Sequence, residues 1–181
     1  MKIRSLLPLA LVALAPFSAV ADNLLVKFDG AIGADSVSAA TAGGVTLNIV
    51  RGVQPPAQLW AIADFKAEVK VDGHIKADGR GLVFAGGNTI GTAVGTAGSG
   101  GAAVINVFAT LICENVAPFV EHSTNAKGVP LAENGDFTID DVLSPAPPPA
   151  SSCATPVLLI RNQGNQNWFA AGIQKFDDDH R

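Results

Sequence analysis

The chain has three histidines, His74, His122 and His180, and of these only His122 stands among groups that could share its chemistry. Glu121, His122, Ser123 and Thr124 put an acid, a base and two hydroxyls into four consecutive residues. A hydrolase of the serine–histidine–acid type needs such groups to converge on one reacting atom. Consecutive residues on an extended chain point to opposite faces, so the run alone reads as a solvated loop. A site there needs a distant acid, for which Asp140 and Asp141 are the candidates. His74 sits beside a turn on a polar face, His180 lies in a terminal charged run, and the chain has no Gly-x-Ser-x-Gly elbow.

Asp140 and Asp141 follow the strand-like Phe137-Thr138-Ile139. Neighbours on a strand diverge, so the two do not face each other across a glycosidic bond. With Asp177, Asp178 and Asp179 they offer oxygen ligands for calcium, without the regular spacing of a calcium loop. Gly98-Ser99-Gly100-Gly101-Ala102-Ala103 meets a loose dinucleotide fingerprint, but a strand-like run follows where a helix would have to start. The residues therefore assign no catalytic group, no cofactor site and no metal site.

Two further pairs carry chemistry of another kind. Trp60 and Trp168 both open strand-like runs, where aromatic rings serve as stacking platforms for carbohydrate. Both are also followed by apolar residues, the pattern of core. Cys113 and Cys153 are the only cysteines, and in an exported chain the pair reads as a disulfide.

Export is the expectation from residues 1–21. Lys2 and Arg4 form a positive head, Leu6 to Ala15 an apolar run too short to span a bilayer, and Ala19-Val20-Ala21 a small-x-small cleavage site. Cleavage there leaves residues 22–181 as a single domain, periplasmic or extracellular, with no transmembrane segment. No cysteine stands at the cut to carry a lipid. The net charge of −4 becomes more negative once Lys2 and Arg4 are gone, which argues against nucleic acid or anionic lipid as partner. An extracellular protein or a glycan is the partner class left open.

The elements that position these residues are strands. From Ala61 to Val71 apolar residues alternate with charged ones, a period of two that no helix satisfies. A three-residue loop, Val71-Asp72-Gly73, sets Val69 opposite Ile75, Ala67 opposite Ala77 and Phe65 opposite Gly79. It also sets Glu68 against Lys76, Lys66 against Asp78 and Asp64 against Arg80. Phe65 is then placed to cover Gly79.

A second hairpin is expected around Glu133-Asn134-Gly135, with Leu131 opposite Phe137, Val129 opposite Ile139, and Pro130 marking a sheet edge. A third joins Val157–Arg161 to Trp168–Ile173. Leu24–Phe28, Val45–Val53, Gly81–Ala85 and Val104–Cys113 complete the strand candidates. The glycine-rich, uncharged stretch 86–101 and the proline-rich connector 144–152 punctuate them. The expected fold is all-β, an antiparallel β-sandwich or small closed barrel of about eight or nine strands. An outer-membrane barrel is disfavoured by the absence of Tyr and the shortage of Trp for aromatic girdles.

Phe28-Asp29-Gly30-Ala31-Ile32-Gly33, Phe108 to Cys113 and Asp140 to Pro147 resemble segments of small exported bacterial β-rich proteins without assigned activity. The resemblance spans most of residues 22–181. It implies a secreted β domain with two cysteines and carries over no catalytic or binding residue. Function is then expected to be binding, scaffolding or surface decoration without catalysis. The alternative is an exported hydrolase of the sandwich type with its site near Glu121, His122 and Asp140.

Overall fold

The computed structural model describes residues 23–93 and 105–176. Its elements are strands β1 (Leu24–Gly33), β2 (Val37–Thr41), β3 (Gly44–Leu47), β4 (Trp60–Ala61), β5 (Asp64–Lys70), β6 (His74–Arg80), β7 (Val83–Phe84), β8 (Asn106–Ile112), β9 (His122–Ser123), β10 (Val129–Pro130), β11 (Phe137–Val142), β12 (Val157–Asn162) and β13 (Trp168–Lys175), with one short 3-10 turn at Ala150–Ser152. Eight strands run in the order β10-β8-β12-β13-β1-β5-β6-β11 as one antiparallel sheet, and β9 adds to β8. The sheet curls into a nearly closed barrel, with β10 and β11 facing each other across the seam. Among the described residues no helix is long and apolar enough to cross a membrane.

The β5–β6 hairpin has the register that its alternation demands, from Asp64 opposite Arg80 to Val69 opposite Ile75. Gly73 sits at φ 87°, in the left-handed region that a turn with a bulge requires, and donates its N–H to Lys70 O at 2.9 Å. Phe65, Ala67, Val69, Ile75 and Ala77 are buried, while Lys66, Glu68, Lys70, Lys76, Asp78 and Arg80 are exposed. Charges thus face outward and apolar side chains fill the interior, the inverse of a lipid-facing barrel wall.

The cross-strand charges stand opposite without closing ion pairs. Glu68 instead meets Lys27 of β1 at 3.4 Å, and Asp78 accepts a hydrogen bond from Thr138 Oγ1 at 2.8 Å. Phe65 stands opposite Gly79 on one side, and on the other the ring of Phe137 supplies the atoms nearest to it. A Cβ on Gly79 would lie 2.2 Å from the Phe137 ring. The neighbour opposite Gly79 on β11 is Phe137 itself.

The second expected hairpin is overturned. The Ala132–Asp136 turn forms, with Gly135 N–H donating to Ala132 O and Ala132 N–H to Asp136 O. Its arms then separate. Val129 pairs with Val107 and Pro130 with Asn106 on β8, whereas β11 pairs with β6. Pro130 lacks an N–H and cannot sustain a ladder, so β10 ends at the sheet edge as its proline dictates.

The third hairpin forms with Leu159 opposite Ala171 and Ile160 opposite Ala170. Val45–Val53 is not one strand. It breaks after Leu47 into a tight turn at Arg51 and Gly52, both at positive φ, closed by a Val50–Val53 bridge. Gly81–Ala85 contributes only Val83–Phe84, paired to Trp60–Ala61. The β2–β3 hairpin, built largely of Ala, Thr, Val and Ser, stands off the barrel with most of its residues exposed.

β8 and β12 are covered on both faces. The segment that leaves β8 returns over the outer side through Phe119, which lies over Gly52, and re-enters the sheet as β9. Cys113 and Cys153 form a disulfide with Cα atoms 4.5 Å apart, tying the end of β8 to the residue after the 3-10 turn. Closing a loop with a sequence separation of 40 stabilises the fold by roughly 4 kcal/mol in the chain-entropy account. The glycine-rich stretch is described only up to Ala93. Residues 1–22, with the expected signal segment, residues 94–104, with the loose dinucleotide fingerprint, and the terminal aspartates 177–179 lie outside the described residues.

Candidate functional site

His122 is not in a solvated loop. It belongs to β9, opposite Leu111, and is buried together with Thr124. Burial fixes its bonding. Nδ1–H donates to Pro145 O at 2.9 Å, because a carbonyl can only accept. That leaves Nε2 buried and without a hydrogen-bond partner among the described residues. The flanking strand bridge, Ser123 to Ser144, links β9 to the chain leaving β11 and closes one end of the barrel seam.

Glu121 points the other way, as alternation requires. Its Oε2 accepts from Arg161 Nη1 at 2.6 Å. Arg161 is buried, donates through Nε to Gln166 O at 2.8 Å and through Nη1 to Thr110 Oγ1 at 3.3 Å, and lies 5.3 Å from the Phe108 ring centroid. Ser123 Oγ joins this network at 2.8 Å from Thr110 Oγ1. Arg161 closes a strand-like run, and the sequence reading did not single it out as a buried cation. The only signal was an arginine at the end of an otherwise apolar strand.

Asp140 and Asp141 also diverge. Asp140 Oδ1 lies 3.0 Å from His74 Nε2 on the exposed face, and Asp141 Oδ2 accepts the Asn125 N–H at 2.9 Å. Glu121, His122 and Asp140 therefore serve three different structural contacts and do not form an acid–base constellation. Among the described residues no three His, Cys, Asp or Glu side chains converge as a metal site.

Beside the disulfide, Arg51 Nη1 donates to the carbonyls of Ile112 and Glu114. Desolvation lowers the pKa of Arg51. The Val120 N–H, donated to Glu114 Oε2 at 3.1 Å, holds the Glu114 carboxyl below its ordinary range.

Both tryptophans are core. Trp168 is 3% exposed and donates its indole N–H to Asn48 O at 3.0 Å. Trp60 is 4% exposed and stacks on Phe169 at 4.0 Å with 14° between planes, with Phe84 at 4.3 Å on its other flank. Neither offers an open ring face, so of the two readings of the tryptophans the core one holds.

The edges of this aromatic group form the floor of a recess of about 210 Å³, lined also by Pro56, Gln58, Asn162 and Asn165. Among the described residues no charged side chain lines it. The recess sits at strand ends, where the β12–β13 turn meets the loop leading into β4. A second concavity of about 350 Å³ lies at the open seam, where Val107, Val129 and Ile139 meet Lys127, Asp140 and Asp141.

The fold and its sites define a disulfide-linked, nearly closed antiparallel barrel with an apolar interior and an uncharged recess at one set of strand ends. No protein family, curated protein or solved structure matches the chain, so every role assigned to a residue rests on its own surroundings.

Proposed function

We propose that this chain is an exported, non-catalytic β domain whose role outside the cytoplasm is to bind. The observation that supports this reading most is that the three candidate groups, Glu121, His122 and Asp140, each bond to a separate structural partner. His122 is held by Pro145, Glu121 by Arg161 and Asp140 by His74. Rate enhancement needs such groups poised towards one reacting atom, not each fixed to a separate partner. Export is supported by the positive head, short apolar run and small-x-small site of residues 1–21. A disulfide suits an oxidising compartment. The acidic balance argues against nucleic acid, and an extracellular protein or a glycan is the partner class left open.

The test is to recover the protein from its own periplasm or medium, measure its intact mass, and assay it on chromogenic ester, peptide and glycoside substrates. The expected mass begins at Asp22 and the expected turnover matches buffer alone. Retention of residues 1–21 overturns the export claim. Turnover that disappears in His122→Asn or Glu121→Gln overturns the non-catalytic claim.

A further inference from the structure

We infer that the recess floored by Trp60, Phe84 and Phe169 binds one N-acetylated sugar residue, an inference that rests on the reading of the chain as an exported binding domain. At about 210 Å³ the recess is smaller than the roughly 300–1,000 Å³ of drug-sized ligand pockets and admits a single ring. Its lining, among the described residues, is uncharged. A phosphate or carboxylate ligand would call for a cation there, and an ammonium ligand for a carboxylate. The ligand is therefore neutral.

The rim narrows the chemistry further. Asn162 Oδ1 accepts the N–H groups of Gly164 and Asn165, and Asn165 Oδ1 accepts the N–H of Asn167. Each oxygen is thus engaged within the turn, which identifies the Nδ2 groups of Asn162 and Asn165 as donors without partners among the described residues. Gln58, exposed on the opposite rim, offers both a donor and an acceptor. The occupant must bring acceptors to two amide donors, an N–H or O–H to the Gln58 oxygen, and an apolar group to the aromatic floor.

An acetamido group on a pyranose ring combines these in one unit, with its carbonyl, its N–H and its methyl. A plain hexose brings hydroxyls but no methyl for the floor. The rim is also held in place before any ligand arrives. Asn162 N–H donates to Asn167 O, Gln166 N–H to Asn162 O, and Trp168 N–H to Gln54 O, each at 2.9–3.0 Å. The backbone of this side of the rim therefore has little freedom left to lose on binding.

The test is a titration of the ¹⁵N-labelled exported protein, disulfide intact, with millimolar N,N′-diacetylchitobiose, followed by amide and indole spectra. The expected shifts are confined to the side-chain amides of Gln58, Asn162 and Asn165 and the Trp60 indole. Asn165→Asp keeps the oxygen that accepts from Asn167 and removes the donor, so affinity should fall about tenfold, the worth of one lost hydrogen bond. Cellobiose, which lacks the acetamido group, should shift nothing. Absent shifts, equal affinity in Asn165→Asp, or equal binding of cellobiose would each overturn the inference.

The sugar protons in the same tube separate this inference from the reading beneath it. Release of free N-acetylglucosamine refutes the non-catalytic reading while binding at the recess stands. Intact disaccharide without shifts refutes the recess and leaves the non-catalytic reading in place.

Discussion

Replacing Trp60 with Ala tests whether the aromatic group is structural floor or displayed ligand surface. Trp60 is 4% exposed, with Phe169 stacked on it at 4.0 Å and Phe84 at 4.3 Å. An aromatic side chain of this kind buries about 200 Å², worth roughly 5 kcal/mol at 25 cal/mol per Å². Alanine keeps a small part of that area. The two ring contacts add about 0.5–1.5 kcal/mol each where their geometry is favourable. The floor of a rigid barrel collapses little, because β4 is held between the β1 end, through Trp60 N–H to Ala34 O, and β7.

Area burial reckoned from an extended chain is an upper bound, so the expected loss is about 3–5 kcal/mol, the range measured for large aromatic truncations. Urea unfolding followed by far-UV circular dichroism, with the disulfide intact, reads it as a fall in midpoint at unchanged slope. Fluorescence is a poor probe, since the substitution removes one of the two tryptophans. A loss below about 1 kcal/mol refutes the reasoning, for it would mean that the ring is not packed as described.

Three further outcomes follow from the same structure. Replacing both Cys113 and Cys153 with Ala should cost roughly 4 kcal/mol, read by calorimetry, and a non-reducing peptide map of the native protein should recover the two as one linked pair. Glu121→Ala leaves Arg161 buried with a weaker set of acceptors. The expected cost in urea unfolding is about 1–2 kcal/mol, below that of a fully buried pair because Glu121 is half exposed. A cost near zero would mean that water replaces the carboxylate completely. Because the folded pKa of Glu114 is lowered, its contribution is present above the ordinary value of 4.5 and lost as pH falls through the lowered folded value. Glu114→Gln should therefore flatten the acid side of the stability profile below about pH 4.5 and leave its slope near neutrality unchanged.

The β5–β6 hairpin was legible residue by residue because two local signals agree there, alternation on both arms and a glycine where the loop needs positive φ. The disulfide was legible from the cysteine count. The Glu133-Asn134-Gly135 turn carries the same local signal, and its arms still parted. What decides their partners is non-local: β6 offers β11 a bare glycine that the Phe137 ring fills, and β8 leaves an edge that a proline-bearing segment can occupy. Local register rules do not encode that competition.

The β2–β3 hairpin escaped for the opposite reason. Ala, Ser and Thr without alternation give no period to detect. The candidate site was legible only in part. Alternation correctly predicts that Glu121 and His122 diverge, and that Asp140 and Asp141 do. It does not reveal that the β9 segment is drawn back over β8, which is what buries His122 and Arg161. The rim of the recess was not visible at all, since Gln58, Asn162 and Asn165 read as ordinary turn residues.

The pairing of β1 with β13 has a consequence for how the molecule is made. The first strand has only two neighbours in the wall, β5 and the last strand. Until β13 has been synthesised, one side of β1 has no hydrogen-bonding partner and the wall around β12 cannot be continued. The wall therefore closes at β1 through a contact of high sequence separation, the kind that forms slowly. Connecting residues 23 and 176 directly and opening the chain at the β5–β6 turn would turn this late contact into an early one, and so alter the order of folding while keeping every strand neighbour.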